Sequence, residues 1–205
     1  NIHQAPGILV DFLYAVFRLL TGILYSSVWF ITLSVYHFLL GLIRIYLIWS
    51  NSRRSSKKDD GYQCYRKTGI FLFLLSIPMT GMTVSMIWTN SGFLYPGYII
   101  YLSALYAFYK IISSTINLIH YKKIGNPVLS AMKTVNFISS LMSLFGLQTA
   151  MISEFSKNGE TFRLFLNAFT GSLVSLIVFS MAGYMIWKGN RKQKEKASKQ
   201  NTTEQ

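Results

Sequence analysis

Apolar runs of about 20 residues recur along almost the whole chain, and each is long enough to cross a hydrocarbon core of roughly 30 Å. No other feature narrows the fold as much. Six such runs separate by sequence, at 6–25, 28–49, 69–88, 97–120, 127–152 and 162–187. Every backbone polar group in lipid must be bonded within its own segment, so these runs read as helices. An outer-membrane barrel would instead alternate over segments of about 10 residues, and no such alternation is present. Only 13% of the residues are charged, about half the share of roughly 25% usual in soluble domains. The expected fold is all-α: a polytopic membrane bundle of six transmembrane helices over 1–188, followed by a basic, disordered tail over 189–205.

The formal net charge of +13 would suggest nucleic acid in a soluble domain, but in a membrane protein it records topology. Of the 20 Lys and Arg, six lie in or beside the 50–68 loop: Arg53, Arg54, Lys57, Lys58, Arg66 and Lys67. Lys122 and Lys123 sit in the short gap between the fourth and fifth runs. Six more follow Trp187, namely Lys188, Arg191, Lys192, Lys194, Lys196 and Lys199. The alternate loops carry only Lys157 and Arg163, offset by Glu154 and Glu160. With six spans, this bias puts the N- and C-termini and all three basic segments in the cytoplasm. The partners it implies are the lipid bilayer and its anionic cytoplasmic lipids, with no nucleic acid. The expected location is the plasma membrane, with a homodimer one admissible assembly. The single cysteine, Cys64, falls in the 50–68 loop and reads as a plain thiol.

Charges inside a bilayer are costly, about 2.5–3.5 kcal/mol each on insertion scales, so intramembrane ionisable groups face the bundle interior, face a cavity or snorkel. The first run holds Asp11 and Arg18, seven apart and on one face, and the second holds His37 and Arg44 at the same spacing. A hairpin turning at Ser26-Ser27 brings Asp11 and Arg44 to similar depth, so an intramembrane Asp11–Arg44 ion pair is expected. The fourth run carries Tyr106, Lys110, Ser113 and Asn117 at spacings of four, three and four, one stripe along a helix. Lys110 is the deepest cation. The fifth run presents Asn136, Ser139, Ser140, Ser143, Gly146 and Gln148, and the sixth Asn167, Gly171, Ser175, Ala182 and Gly183. Small residues at such spacings let helices approach closely, so most of them are explained by packing. The substrate-pathway candidates left are His37, Tyr106, Lys110, Asn117, Asn136 and Gln148.

The chain has no Gly-rich phosphate loop, no Cys/His pair at zinc spacing and no Ser-His-Asp set. No enzyme activity, catalytic residue, cofactor or metal site is therefore expected. A lipid-acting enzyme has least support, with Asp11 and His120 the only titratable groups near headgroup depth.

The order of features resembles the transmembrane domain of the cation diffusion facilitators, the proton-coupled divalent-metal exporters. The stretch Arg18-Leu19-Leu20-Thr21-Gly22 leading to Ser26-Ser27 is similar to the family's first helix. Tyr65-Arg66-Lys67 matches its basic segment before helix three. Asn117, the pair Lys122-Lys123 and Asn126-Pro127-Val128-Leu129-Ser130-Ala131 follow its turn from helix four into helix five. The resemblance implies six helices, cytoplasmic termini and solute export. It breaks at the metal site, where the family carries Asp or His at paired positions four apart on helices two and five. Here those positions are His37 and Gly41, or Tyr36 and Leu40, and then Val135 and Ser139. Four tetrahedral ligands of the kind zinc requires are not available from them. No counterpart of the family's cytoplasmic metal-sensing domain is expected in the short Lys-rich stretch after Trp187. The expectation is a divergent, transporter-like protein without the usual zinc site. The interior cations Arg18, Lys110 and Lys133 make an anion or organic solute as reasonable as a metal. The alternative is a non-transporting membrane assembly or anchor component.

Overall fold

The computed structural model describes residues 28–53, 61–89, 97–155 and 159–203, together with positions 12, 13, 16 and 20. Five helices follow one another: α1 (Val28–Arg53), α2 (Gly61–Thr89), α3 (Gly97–Ile124), α4 (Pro127–Phe155) and α5 (Glu160–Thr203). Among the described residues, four helices contain segments long and apolar enough to cross a membrane: Ile31–Ser50, Ile100–Ile124, Pro127–Ser153 and Thr161–Ser198. The protein is all-α and membrane-embedded. Most of the 6–25 run lies outside the described residues, and Asp11 and Arg18 with it. Phe12, which is described, stands 6.4 Å from Phe38 of α1, ring centroid to ring centroid.

The burial pattern is that of a bundle immersed in oil. On α3, Tyr101, Leu102, Leu105, Phe108, Tyr109, Ile112, Ile116 and Ile119 all point outward. So dense an exposed apolar face is rare on a soluble monomer and marks a surface that meets lipid or a partner. On α1, Leu33, Tyr36, His37, Leu40, Arg44 and Leu47 recur every three or four residues and turn inward, so the polar groups of this helix share the buried stripe. With no hydrophobic force between helices in lipid, close packing and internal hydrogen bonds must hold the bundle.

Helix α4 is the hub, touching each of the other four. Its buried side chains alternate apolar ones (Val135, Ile138, Met142, Phe145) with hydroxyls (Thr134, Ser139, Ser140, Ser143). Most of these hydroxyls bond a carbonyl four residues back, as Thr134 does to Ser130 at 2.9 Å and Thr149 to Phe145 at 3.0 Å. They stay small and satisfied without a neighbour's help.

The broadest contact is α2 against α5. A Cβ built on Gly69 would lie 2.9 Å from Met185 Cβ and 3.1 Å from the Ala182 carbonyl oxygen. One built on Gly171 would overlap Thr83 Cγ2 and stand 3.2 Å from Phe145 Cζ. The two backbones approach so closely because no side chain stands between them.

Between α3 and α4 the turn is written in three residues. Gly125 takes φ +76°, the left-handed conformation that ends a helix. Asn126 Oδ1 then accepts from the Val128 and Leu129 amides at 3.1 and 3.3 Å, and Pro127 occupies the first helical position. Lys122 and Lys123 lie in the last turn of α3, where cations complement the helix dipole.

Two expectations need correction. Cys64 is not in a loop: α2 starts at Gly61, and the thiol is fully buried with Sγ 3.5 Å from Ser50 Oγ. The helix starts before the apolar run because helix formation needs only backbone bonding, not lipid. The segment after Trp187, expected to be disordered, continues α5 through Thr203. It contains no Gly or Pro after Gly189 and is rich in Lys and Gln, both good helix formers. Glu195 accepts from Arg191 at 3.1 Å and from Lys192 at 2.7 Å along its surface. Arg66 of α2 anchors it from the side, donating from Nη1 to Asn190 Oδ1 and Gln193 Oε1 at 3.2 and 2.8 Å.

Candidate functional site

Three of the six pathway candidates converge at mid-depth. The Lys110 ammonium donates to Ser139 Oγ at 3.2 Å, and that oxygen lies 3.4 Å from His37 Nδ1. The same ammonium sits over the Tyr106 ring, 5.4 Å from its centroid, within range of a cation–π contact. Three helices thus meet through one hydroxyl that is only 2% exposed. An ammonium only donates and a hydroxyl has one proton. The hydroxyl therefore accepts from the ammonium, and toward His37 Nδ1 it donates or accepts according to the imidazole tautomer.

Local structure explains the meeting. The α3–α4 hairpin reverses at Gly125, and Lys110 and Ser139 lie almost equal numbers of residues before and after it, so they come level. Ser140, the next residue, directs its hydroxyl to the Asn136 carbonyl of its own helix at 2.8 Å and stands 3.3 Å from the Lys110 carbonyl. His37 comes level from α1, which crosses α4 on another side.

The other candidates are not brought to this point. Asn117 donates from Nδ2 to the Ser113 carbonyl of its own helix at 2.8 Å, about 10 Å along α3 from Lys110. Gln148 reaches Thr170 of α5 at 2.6 Å, about 13 Å along α4 from Ser139. Asn136 is half-buried one turn from Ser139, and its carbonyl receives Ser140. Gln148 is therefore a tie between α4 and α5, and Asn117 a local cap.

Arg44 is 4% exposed, inside the bundle rather than reaching lipid phosphates. Its expected pairing with Asp11 lies outside the described residues on the Asp11 side. Lys133 is 8% exposed and lies 4.5 Å from the centroid of Tyr121, across the α3–α4 turn. The interior is cationic by composition as well: over 28–152 the only acidic residues are Asp59 and Asp60, both in the 50–68 loop. Among the described residues no three His, Cys, Asp or Glu side chains stand together.

Ser139 was not among the pathway candidates: by sequence it reads as a small packing residue, and as a serine standing at a ligand position of the resembled family. The usable signal was its register: the hydroxyl pair Ser139-Ser140 is as far after the Gly125 turn as Lys110 is before it.

At the basic end, a half-open cavity of about 210 Å³ lies between α2, α3, α4 and α5, with Tyr65, Lys122, Thr134 and Tyr184 among its walls. No protein-family model, curated protein or solved structure matches the chain.

Proposed function

We propose that the chain is a six-span integral membrane protein of the plasma membrane, with both termini cytoplasmic, that moves a small anionic or polar organic solute. The observation that carries this reading is the Lys110–Ser139–His37 contact, a charged and hydrogen-bonded junction of three helices in the middle of apolar segments. Intramembrane cations are retained at a cost of kilocalories, and they mark pathways more often than packing. Together with the buried Arg44 and Lys133 they favour a negative or strongly polar cargo. Alternating access would rock helix groups about this level.

The orientation is supported by contacts that gather the basic segments at one end: Ser50 with Cys64, and Arg66 with Asn190 and Gln193. The similarity to cation diffusion facilitators enters this proposal as an architecture without its metal chemistry.

A second reading, a non-transporting assembly or anchor component, is favoured by Gln148 and Asn117, whose amides are paired off within the bundle. It is favoured too by the cavity near Lys122, which lies at the basic end and not beside Lys110. Flux separates the two. Vesicles reconstituted with the full chain are tested against a panel of anionic and polar solutes. Transport predicts flux of at least one solute above empty vesicles, falling to the empty level in Lys110→Met. Flux equal to empty vesicles for every solute refutes transport and leaves the assembly component.

A further inference from the structure

The basic end of the bundle holds two ammonium groups around one aromatic ring. Lys122, in the last turn of α3, lies 5.9 Å from the centroid of Tyr184, and Lys188 of α5 lies 5.6 Å from the same centroid. Among the described residues neither has a carboxylate partner, and the nearest acidic side chain along α5, Glu195, is taken by Arg191 and Lys192. Two like charges gathered at one ring are relieved by an anion between them.

The cavity beside that ring has the chemistry to complete the site. Lys122, Thr134 and Ser180 supply donors, and Met181 and Met185 supply apolar wall. Burial, with Tyr184 nearby, pushes the Tyr65 phenol up to about 12, so this wall is neutral and the local charge is positive. Depth is fixed by the neighbours: Lys188 follows Trp187 directly, and the exposed Tyr184 and Trp187 rings lie 6.3 Å apart. Paired exposed Tyr and Trp belong at the level of lipid headgroups. Basic pockets between transmembrane helices at that level take anionic headgroups.

We infer that the cavity between α3 and α5 binds the phosphate of an anionic phospholipid, held by Lys122 in its wall and by Lys188 reaching in from beside Tyr184, with the glycerol end of its chains against Met181. This rests on the reading that the basic end meets an anionic membrane surface, but not on transport.

The test uses the full chain in nanodiscs of phosphatidylcholine with a minor fraction of phosphatidylglycerol, with retained lipid counted by native mass spectrometry after detergent release. Wild type is expected to keep one phosphatidylglycerol, enriched about tenfold or more over its share of the disc, since each lysine near such a charge contributes about fivefold. Lys122→Gln with Lys188→Gln should bring retention down to the disc composition. Lys194→Gln with Lys196→Gln, which removes equal charge from the exposed tail, should leave it unchanged. Equal loss in both double variants means diffuse surface attraction and overturns the site, as does no enrichment in wild type. A parallel arm adds inorganic phosphate. Displacement of the lipid by millimolar phosphate, with the same dependence on Lys122 and Lys188, overturns the lipid in favour of a soluble phosphate. Both leaflets of the disc carry the lipid, so a wrong orientation does not mimic failure of the site, and no flux is read.

Discussion

Ser139→Ala isolates the junction of α1, α3 and α4 with the loss of one oxygen. The hydroxyl accepts from Lys110 at 3.2 Å and faces His37 Nδ1 at 3.4 Å. In soluble proteins a hydrogen bond to a charged group contributes about 1.5–3 kcal/mol. Within bilayers interhelical hydrogen bonds average about 0.6 and reach about 1.7 kcal/mol, because the unfolded chain also finds partners there. The Lys110 distance exceeds the roughly 2.7–2.9 Å of strong charge-assisted bonds, and the imidazole contact is longer still. The bilayer range therefore governs, and the charge puts the loss in its upper part, about 1–1.5 kcal/mol. Ser143→Ala is the matched control: equally buried on the same helix, its hydroxyl bonds only the Ser139 carbonyl at 3.0 Å. Its removal should cost under about 0.5 kcal/mol, since that carbonyl keeps its helical bond. Equilibrium unfolding in mixed micelles, run as a double-mutant cycle of Ser139→Ala with Lys110→Met, should give a coupling of about 1 kcal/mol. Coupling below about 0.5 kcal/mol is no more than distant, independent sites show, and would mean that the hydroxyl does not tie α4 to Lys110.

Gly171→Val drives a side chain into Thr83 and Phe145 and should destabilise by about 1–3 kcal/mol; unfolding midpoints check it, and Thr83→Ala in the same background should recover part of the loss. Asn126→Ala removes the acceptor for two amides at the start of α4 and should cost about 1 kcal/mol, with a lowered thermal midpoint the readout. The Glu195 carboxyl is held below its ordinary 4.5, chiefly by the hydrogen bond from Lys192. A depressed carboxylate contributes above its unfolded value and loses that contribution as pH falls through the folded one. Amide protection along the distal part of α5, taken relative to the intrinsic exchange rate at each pH, should therefore be greatest at neutral pH and fall below about pH 4.5, and Glu195→Gln should remove the dependence.

Hydropathy located the buried lengths of α1, α3 and α4 because those lengths are set by the thickness of oil. It could not see where α2 begins or where α5 ends, since both helices run on into water by backbone bonding, side-chain pairs and the Arg66 contacts with Asn190 and Gln193. Lys110 and His37 were legible as costly groups. Ser139 was not, because its part depends on the register between helices, which periodicity along a single helix does not contain. Gln148 and Asn117 were read as hard to explain by packing for the converse reason: their partners, Thr170 and the Ser113 carbonyl, are ordinary residues that become informative only when placed beside them. The positions over 1–11 bear on the expected Asp11–Arg44 pair and lie outside the described residues.

The bare backbone seam between α2 and α5 also divides the molecule by how freely it can drift in sequence. Along Gly69 and Gly171 even a methyl group meets an occupied neighbour, so almost every codon change there is harmful. On the outward face of α3, one oily side chain serves the surrounding lipid as well as another. A saturation library should therefore return a lopsided map, nearly empty of survivors along the α2–α5 seam and permissive along the outer wall of α3, whatever the protein does.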